Sequence, residues 1–339
     1  MFRGRCPSRN AKTVLRIARS HYATPRRTFT TQPPYYQGLP PVRLLGPTIW
    51  CLATAGAIYL GCAASDVYQD VARAKGEGTR WASKRPPETF EELERFRGTS
   101  YAGTRSARSW SPFSELSGLS ELAEFSEPEK LIVSAIALNT GLHASCRGSP
   151  AFWGHLAHVP VSTRNYTLLT SVFGHAGLLH LGFNMYGLFM VGPPVAQTRT
   201  FNDNGHHLAA FYLATGILTS LAQHISSIGP HRMNRFQPSL GASGAIMAIL
   251  GAFGMSYPDT HIGILFLPGS LPASQFLAGV ALFDAIGIFV RYPWINWAHA
   301  AHLAGLSLGA SYVYFGGDKR VWRPTRRLAF NTMRLLNVI

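Results

Sequence analysis

At 339 residues, with 31 Lys and Arg against 16 Asp and Glu, the chain carries a net charge of +15, yet 47% of it is hydrophobic and only 14% is charged. That balance leans toward a membrane protein, and the basic residues lie mainly in the first 43 positions and after Lys319, flanking the apolar runs, which speaks against a folded nucleic-acid-binding face. The four cysteines, Cys6, Cys51, Cys62 and Cys146, have neither CxxC nor zinc spacing, so neither a disulfide framework nor a metal site is indicated.

From Met1 to Ser65 there is no Asp or Glu, while Arg3, Arg5, Arg9, Lys12, Arg16, Arg19, Arg26 and Arg27 are interleaved with Ser, Thr and apolar residues. An Arg-rich, acid-free leader of this kind predicts a mitochondrial transit peptide over residues 1–32, processed near Arg27 to Thr31. Residues 33–43, rich in Pro and Tyr, then form a linker.

A membrane-crossing helix needs about 20 mostly apolar residues. Runs of about that length, charge-free apart from Asp284 in Ala273 to Val290, predict seven crossings. The first, residues 44–65, stands alone as an extra N-terminal helix, followed by a polar soluble segment over 66–129 with a helical turn or two around Pro87 to Phe96. A compact group of six fills residues 130–317: Leu131 to Cys146, part of Asn165 to Thr198, Gly205 to His231, Phe236 to Pro258, Ala273 to Val290 after a break at Pro268 to Pro272, and Tyr292 to Gly317. Residues 318–339 are a basic C-terminal tail. The expected class is an all-α polytopic membrane protein. Its orientation indicators conflict: an import signal and seven crossings put the tail opposite the matrix, whereas the tail's own basic charge favours the matrix.

Polar and ionisable groups inside such runs are costly and usually line a cavity, pair, or mark a functional path. Ser243 lies in Gly241-Ala242-Ser243-Gly244, where the flanking glycines would expose the hydroxyl and let backbone N–H groups face a substrate carbonyl. Taken alone, that motif fits a helix–helix contact equally well. His302 lies beside a stripe of small residues, Ala301, Gly305 and Gly309, at a spacing of four, which would let another backbone approach closely. If that other helix carries Ser243, His302 becomes its general base. His180 and Asn184, four apart, share one helical face and suit either an oxyanion-stabilising pair or a hydrogen-bonded link between helices. His175 could orient that pair or be a satisfied interfacial histidine, Asp284 pairs with a neighbouring helix more readily than it completes a triad, and His299 shares the face of His302 as a packing or pH-sensitive neighbour.

Together, Ser243 in GxSG, His180 and Asn184 in HxxxN, and His302 in AHxxGxxxG resemble the rhomboid intramembrane serine proteases over about residues 131–315. Pro238 to Met247, the string His299-Ala300-Ala301-His302, and the extra helix before a six-helix core are similar to the mitochondrial inner-membrane branch. The resemblance implies a Ser243–His302 dyad with no acidic third member, an oxyanion site from His180, Asn184 and the Ser243 N–H with Gly241 and Gly244 around it, and no cofactor. It further implies substrates that are single-span proteins of the mitochondrial inner membrane, a dynamin-like GTPase of membrane fusion among them, cut within the lipid bilayer. Two positions depart from the pattern. Met247 stands where bacterial members carry a tyrosine that stacks on the base, and Ala298 stands where the mitochondrial branch often has Asp. The alternatives are a catalytically silent relative that binds or escorts membrane proteins, which Ser243 and His302 disfavour, and a proton-coupled transporter, for which the two halves show no internal repeat.

Overall fold

Apolar runs that cannot hydrogen-bond their backbone to lipid must satisfy it internally, and they do so here as helices. In the computed structural model, residues 41–76, 86–104, 125–146, 149–162, 164–228, 235–263, 268–290 and 297–339 are described; the expected transit peptide and most of the linker lie outside them. The long helices are α1 (Leu45–Gly76), α2 (Phe90–Thr104), α3 (Glu127–Cys146), α4 (Leu178–Ala196), α5 (Gly205–Ser226), α6 (Ser243–Ser256), α7 (Ala273–Phe289), α8 (His299–Tyr314) and α9 (Arg323–Leu335). The protein is an all-α polytopic membrane protein, with α3 to α8 as the six-helix group and α1 preceding it. The break at Pro268 to Pro272 belongs to a small antiparallel ribbon, β1 (His261–Ile262) against β2 (Leu271–Pro272).

The helix starts follow local chemistry. Before α3 a capping box closes both ways: the Glu129 N–H donates to Ser126 Oγ at 3.4 Å, and the Ser126 N–H to Glu129 Oε2 at 2.7 Å. The Asn204 side chain caps α5 by accepting from the His207 N–H at 2.9 Å. Helix α5 is the hub, packing on α1, α3, α6 and α8, and its Leu208, Phe211 and Ile217 are fully enclosed. Helix α1 lies at the periphery, with Leu45, Ile49, Leu52 and Leu60 exposed on its outer face. Around the group, Leu138, Leu179, Phe183, Leu282, Ile286 and Phe289 also point outward, as lipid rather than water would favour.

Two boundaries differ from expectation. Helix α1 does not stop at Ser65 but continues to Gly76, 32 residues in all, about 48 Å at ~1.5 Å per residue. That exceeds a hydrocarbon core of about 30 Å, so the turns from Asp66 onward stand beyond it. Nor are residues 318–339 a simple tail: Asp318–Trp322 forms a π-helical turn leading into α9, which packs along α1 and touches α2. The reason is a buried ion cluster. Arg326, enclosed at 2% exposure, pairs with Asp66, Asp70 and Glu94, while Arg97 of α2 reaches Asp66 at 2.7 Å and Asp70 at 3.1 Å. Asn204 Nδ2 donates to Asp66 Oδ1 at 3.1 Å. Helix α2 of the polar segment and α9 of the basic tail thus dock on one end of α1 by charge compensation.

Candidate active site

Helices α6 and α8 approach each other through glycine. A Cβ on Gly309 would overlap the Ala248 carbonyl, one on Gly305 the Gly244 carbonyl, and one on Gly251 the Leu306 carbonyl. Only hydrogen at these positions permits so close a backbone crossing. Ala301, buried at the start of the stripe, donates its N–H to Gln223 Oε1 of α5 at 3.3 Å, which satisfies one of the orphan donors at the start of α8. The consequence of the crossing is that His302 Nε2 lies 2.8 Å from Ser243 Oγ.

Ser243 is the first residue of α6, partly accessible, and the loop before it is pinned. His158 and Ser239 exchange backbone hydrogen bonds, His158 N–H to Ser239 O at 2.9 Å and Ser239 N–H to His158 O at 2.8 Å. The Gly241 N–H donates to Ser171 O at 2.9 Å. Gly241 adopts φ of +135°, a region that side-chain-bearing residues rarely enter. A Cβ there would stand 2.9 Å from His180 Cε1 and Nε2 and 3.6 Å from Ser243 Oγ. The space beside Gly241 is therefore flanked by the nucleophilic oxygen on one side and the His180 ring on the other.

Two members of the expected set sit differently. Asn184 is buried and its Nδ2 donates one hydrogen to the His180 carbonyl of its own helix at 2.7 Å, so only the second hydrogen of that amide is left for a substrate oxygen. Gly244 does not open toward a substrate: a Cβ there would overlap the Thr219 side chain of α5, and its carbonyl lies against Gly305. Its missing side chain serves helix packing. His175, buried beside His180 with ring centroids 5.2 Å apart, accepts at its carbonyl from His143 Nδ1 at 3.1 Å. Burial, with His180 nearby, brings the His175 ring down to about 4.

Support for the His302 ring comes from a direction that the motifs do not reveal. Trp297 lies 6.1 Å from it, ring to ring, at 60°. Asp284, buried on α7, sits with Oδ1 2.7 Å from His299 Nδ1 and 3.5 Å from His302 Nδ1. The expected pairing of Asp284 with a neighbouring helix is thus present, to His299. Gln223, Trp297 and Thr219 carry no sequence motif; their parts follow from helix rotation alone. Among the described residues no group of three His, Cys, Asp or Glu gathers as a metal site.

Residues 162–319 match the family model described as the rhomboid domain. The chain is similar to presenilin-associated rhomboid-like protein A, mitochondrial, of Danio rerio, 30% identical over 209 residues, 60% of this chain and 52% of that protein. To the Homo sapiens presenilin-associated rhomboid-like protein, mitochondrial, it is 32% identical over 157 residues, 46% of this chain and 39% of the relative. Rhomboid protein 1, mitochondrial, of Saccharomyces cerevisiae is 28% identical over 199 residues, 56% of this chain and 54% of that protein. The chain thus spans about half, or less, of the length of the curated relatives it matches.

Proposed function

From the premise that this is a rhomboid-type membrane protein of the mitochondrial kind, with its rhomboid domain at residues 162–319, we propose that the chain is an intramembrane serine endopeptidase of the mitochondrial inner membrane. Its substrates are single-span proteins cut within or next to their membrane helix. The observation that carries this reading is the 2.8 Å contact between Ser243 Oγ and His302 Nε2 on two helices locked together by glycine.

The chemistry follows from that geometry. With Nε2 unprotonated, His302 accepts the Ser243 hydroxyl proton as Oγ attacks the scissile carbonyl, and then returns it to the leaving amine. Negative charge on the carbonyl oxygen develops beside Gly241. There the Ser243 N–H, one of the first N–H groups of α6 and so without an acceptor inside the helix, and the His180 ring are the donors at hand. A peptide bond inside a substrate helix is poorly exposed to such attack, so substrates carry small or helix-breaking residues near the cut.

Reconstituted proteoliposomes holding a membrane-anchored reporter test the reading directly. The native chain cleaves, and Ser243→Ala and His302→Ala, each shown to be folded, lose cleavage by roughly a thousandfold or more. Variants that cut as well as the native chain would overturn the assignment of these two residues. A folded native chain that binds the reporter without cutting it would favour the escort reading.

A further inference from the structure

His302 must keep its proton on Nδ1 if Nε2 is to accept from Ser243, and Nδ1 makes no aligned hydrogen bond in the structure although Asp284 Oδ1 is 3.5 Å away. The same carboxylate oxygen takes a close contact of 2.7 Å from His299 Nδ1, one turn earlier on α8. All three groups are buried, Asp284 at 1% exposure, His299 at 7% and His302 at 8%. The His299 ring is itself fixed: a Cβ on Gly287 of α7 would stand 2.6 Å from it, and Phe283 meets it edge-on at 5.4 Å. Glycine at 287 thus admits His299 to the α7 face from which Asp284 projects.

We propose that Asp284, held in place by His299, is a positioning residue for His302, keeping the proton on Nδ1 before attack and facing the imidazolium once Nε2 has taken the Ser243 proton. The bonding is ordinary acid–base exchange. Ser243 Oγ gives its proton to Nε2, His302 becomes a cation with N–H on both nitrogens, and the Nδ1–H then points at a carboxylate instead of at apolar surroundings. A distance of 3.5 Å is long for a hydrogen bond, and such contacts tighten when charge develops at the catalytic site. The groups that flank this imidazole away from Ser243 are Asp284 of α7 and Trp297. A buried carboxylate at membrane depth needs a partner; His299 meets that need at rest, and both histidines meet it during the reaction.

The inference rests on the proposed protease activity, so its test carries two readouts. In proteoliposomes, Asp284→Asn lowers kcat about ten- to hundredfold while KM stays within about twofold, because the carboxylate acts on the proton transfer and touches no substrate; Asp284→Glu restores part of the loss. Independently of turnover, nitrogen NMR of the histidine-labelled full chain, with His302 assigned by its absence in His302→Gln, shows the Nδ1–H form of His302 falling in Asp284→Asn. An unchanged kcat in folded Asp284→Asn overturns the proposal. So does a loss that tracks thermal instability and is not relieved by Asp284→Glu. If the native chain does not cleave at all, the protease reading fails, while an unchanged His302 tautomer in Asp284→Asn still decides against Asp284 by itself.

Discussion

Gly241 shows how much of the site depends on one absent side chain. Its φ of +135° is tolerated by glycine, and a methyl group there would press within 2.9 Å of the His180 ring and fill the gap beside Ser243 Oγ. Gly241→Ala should therefore leave the helix bundle folded, since the residue lies in a loop outside the α6–α8 crossing, but should lower kcat by roughly a hundredfold, the cost of displacing reacting groups by about an ångström. Reporter cleavage beside thermal unfolding checks it; an active Gly241→Ala chain would mean that the space beside Gly241 is not where the carbonyl sits. At this scale Ser243, His302 and His180 were legible because polar groups are conspicuous in charge-free runs and their spacing can be counted. The packing role of Gly244, the contact of Gln223 and the nearness of Asp284 to His302 were not. Each depends on the rotation of one helix against another, which counting along a single helix does not fix.

Among the elements, α9 was the one least visible in advance. Read by charge, residues 318–339 are a basic tail; read by spacing, Trp322, Arg326, Ala329 and Phe330 fall on one side of a helix, and all four are buried. The charge count hid this because the central member of that face is an arginine. Phe330 meets Phe90 of α2 with centroids 6.1 Å apart, and Trp322 stacks on His207 of α5 at 4.6 Å and 2°. Burial acts to raise Asp66, but Arg97 and then Arg326 outweigh it and hold that carboxyl below its ordinary range; at Asp70 burial prevails and the direction is upward. Arg326→Ala would leave these two acids undercompensated in a closed space, at a cost of about 3–5 kcal/mol. The expected result is a lower unfolding midpoint and faster tryptic cleavage after Lys319, Arg320 and Arg327 as α9 leaves α1. Reporter cleavage should change far less, because the cluster gathers at the Asn204 end of α5, away from the Gln223 end that borders the site. Unaltered proteolysis in Arg326→Ala would show that aromatic packing alone holds α9.

Across the whole molecule, α1 is fastened to the core at both ends, by the ion cluster at one and by a chain of histidines at the other. His224 Nε2 lies 2.7 Å from the Arg43 carbonyl, which can only accept. His224 Nδ1 must then accept from His158 Nε2–H, 2.9 Å away, which leaves His158 Nδ1 as an acceptor 2.8 Å from Thr167 Oγ1, whose single hydroxyl hydrogen it shares with the Arg164 carbonyl at 2.6 Å. Both rings are neutral in this arrangement. His158 also carries the backbone pairing with Ser239 that steadies the loop before Ser243, so this frame links the N-terminal helix to the nucleophile. Its apolar helices were countable from hydropathy, whereas this fastening was not, because isolated histidines and a backbone carbonyl leave no pattern in a sequence. Burial, with His224 beside it, brings His158 from 6.5 to about 3, and His175 falls to about 4. The unfolded chain takes up protons on these rings near 6.5, whereas the folded chain resists until about 4 and then 3. Between those limits the unfolded state binds more protons, and stability must fall as pH falls. Each ring contributes a slope of up to about 1.4 kcal/mol per pH unit. Unfolding measured in mixed micelles should show stability level above about pH 7 and declining below 6.5. His158→Gln, whose amide can donate toward His224 without titrating, should fold with a shallower decline. A native chain equally stable at pH 7 and pH 4.5 would mean that water reaches these rings, and that the frame beneath Ser243 is looser than its hydrogen bonds require.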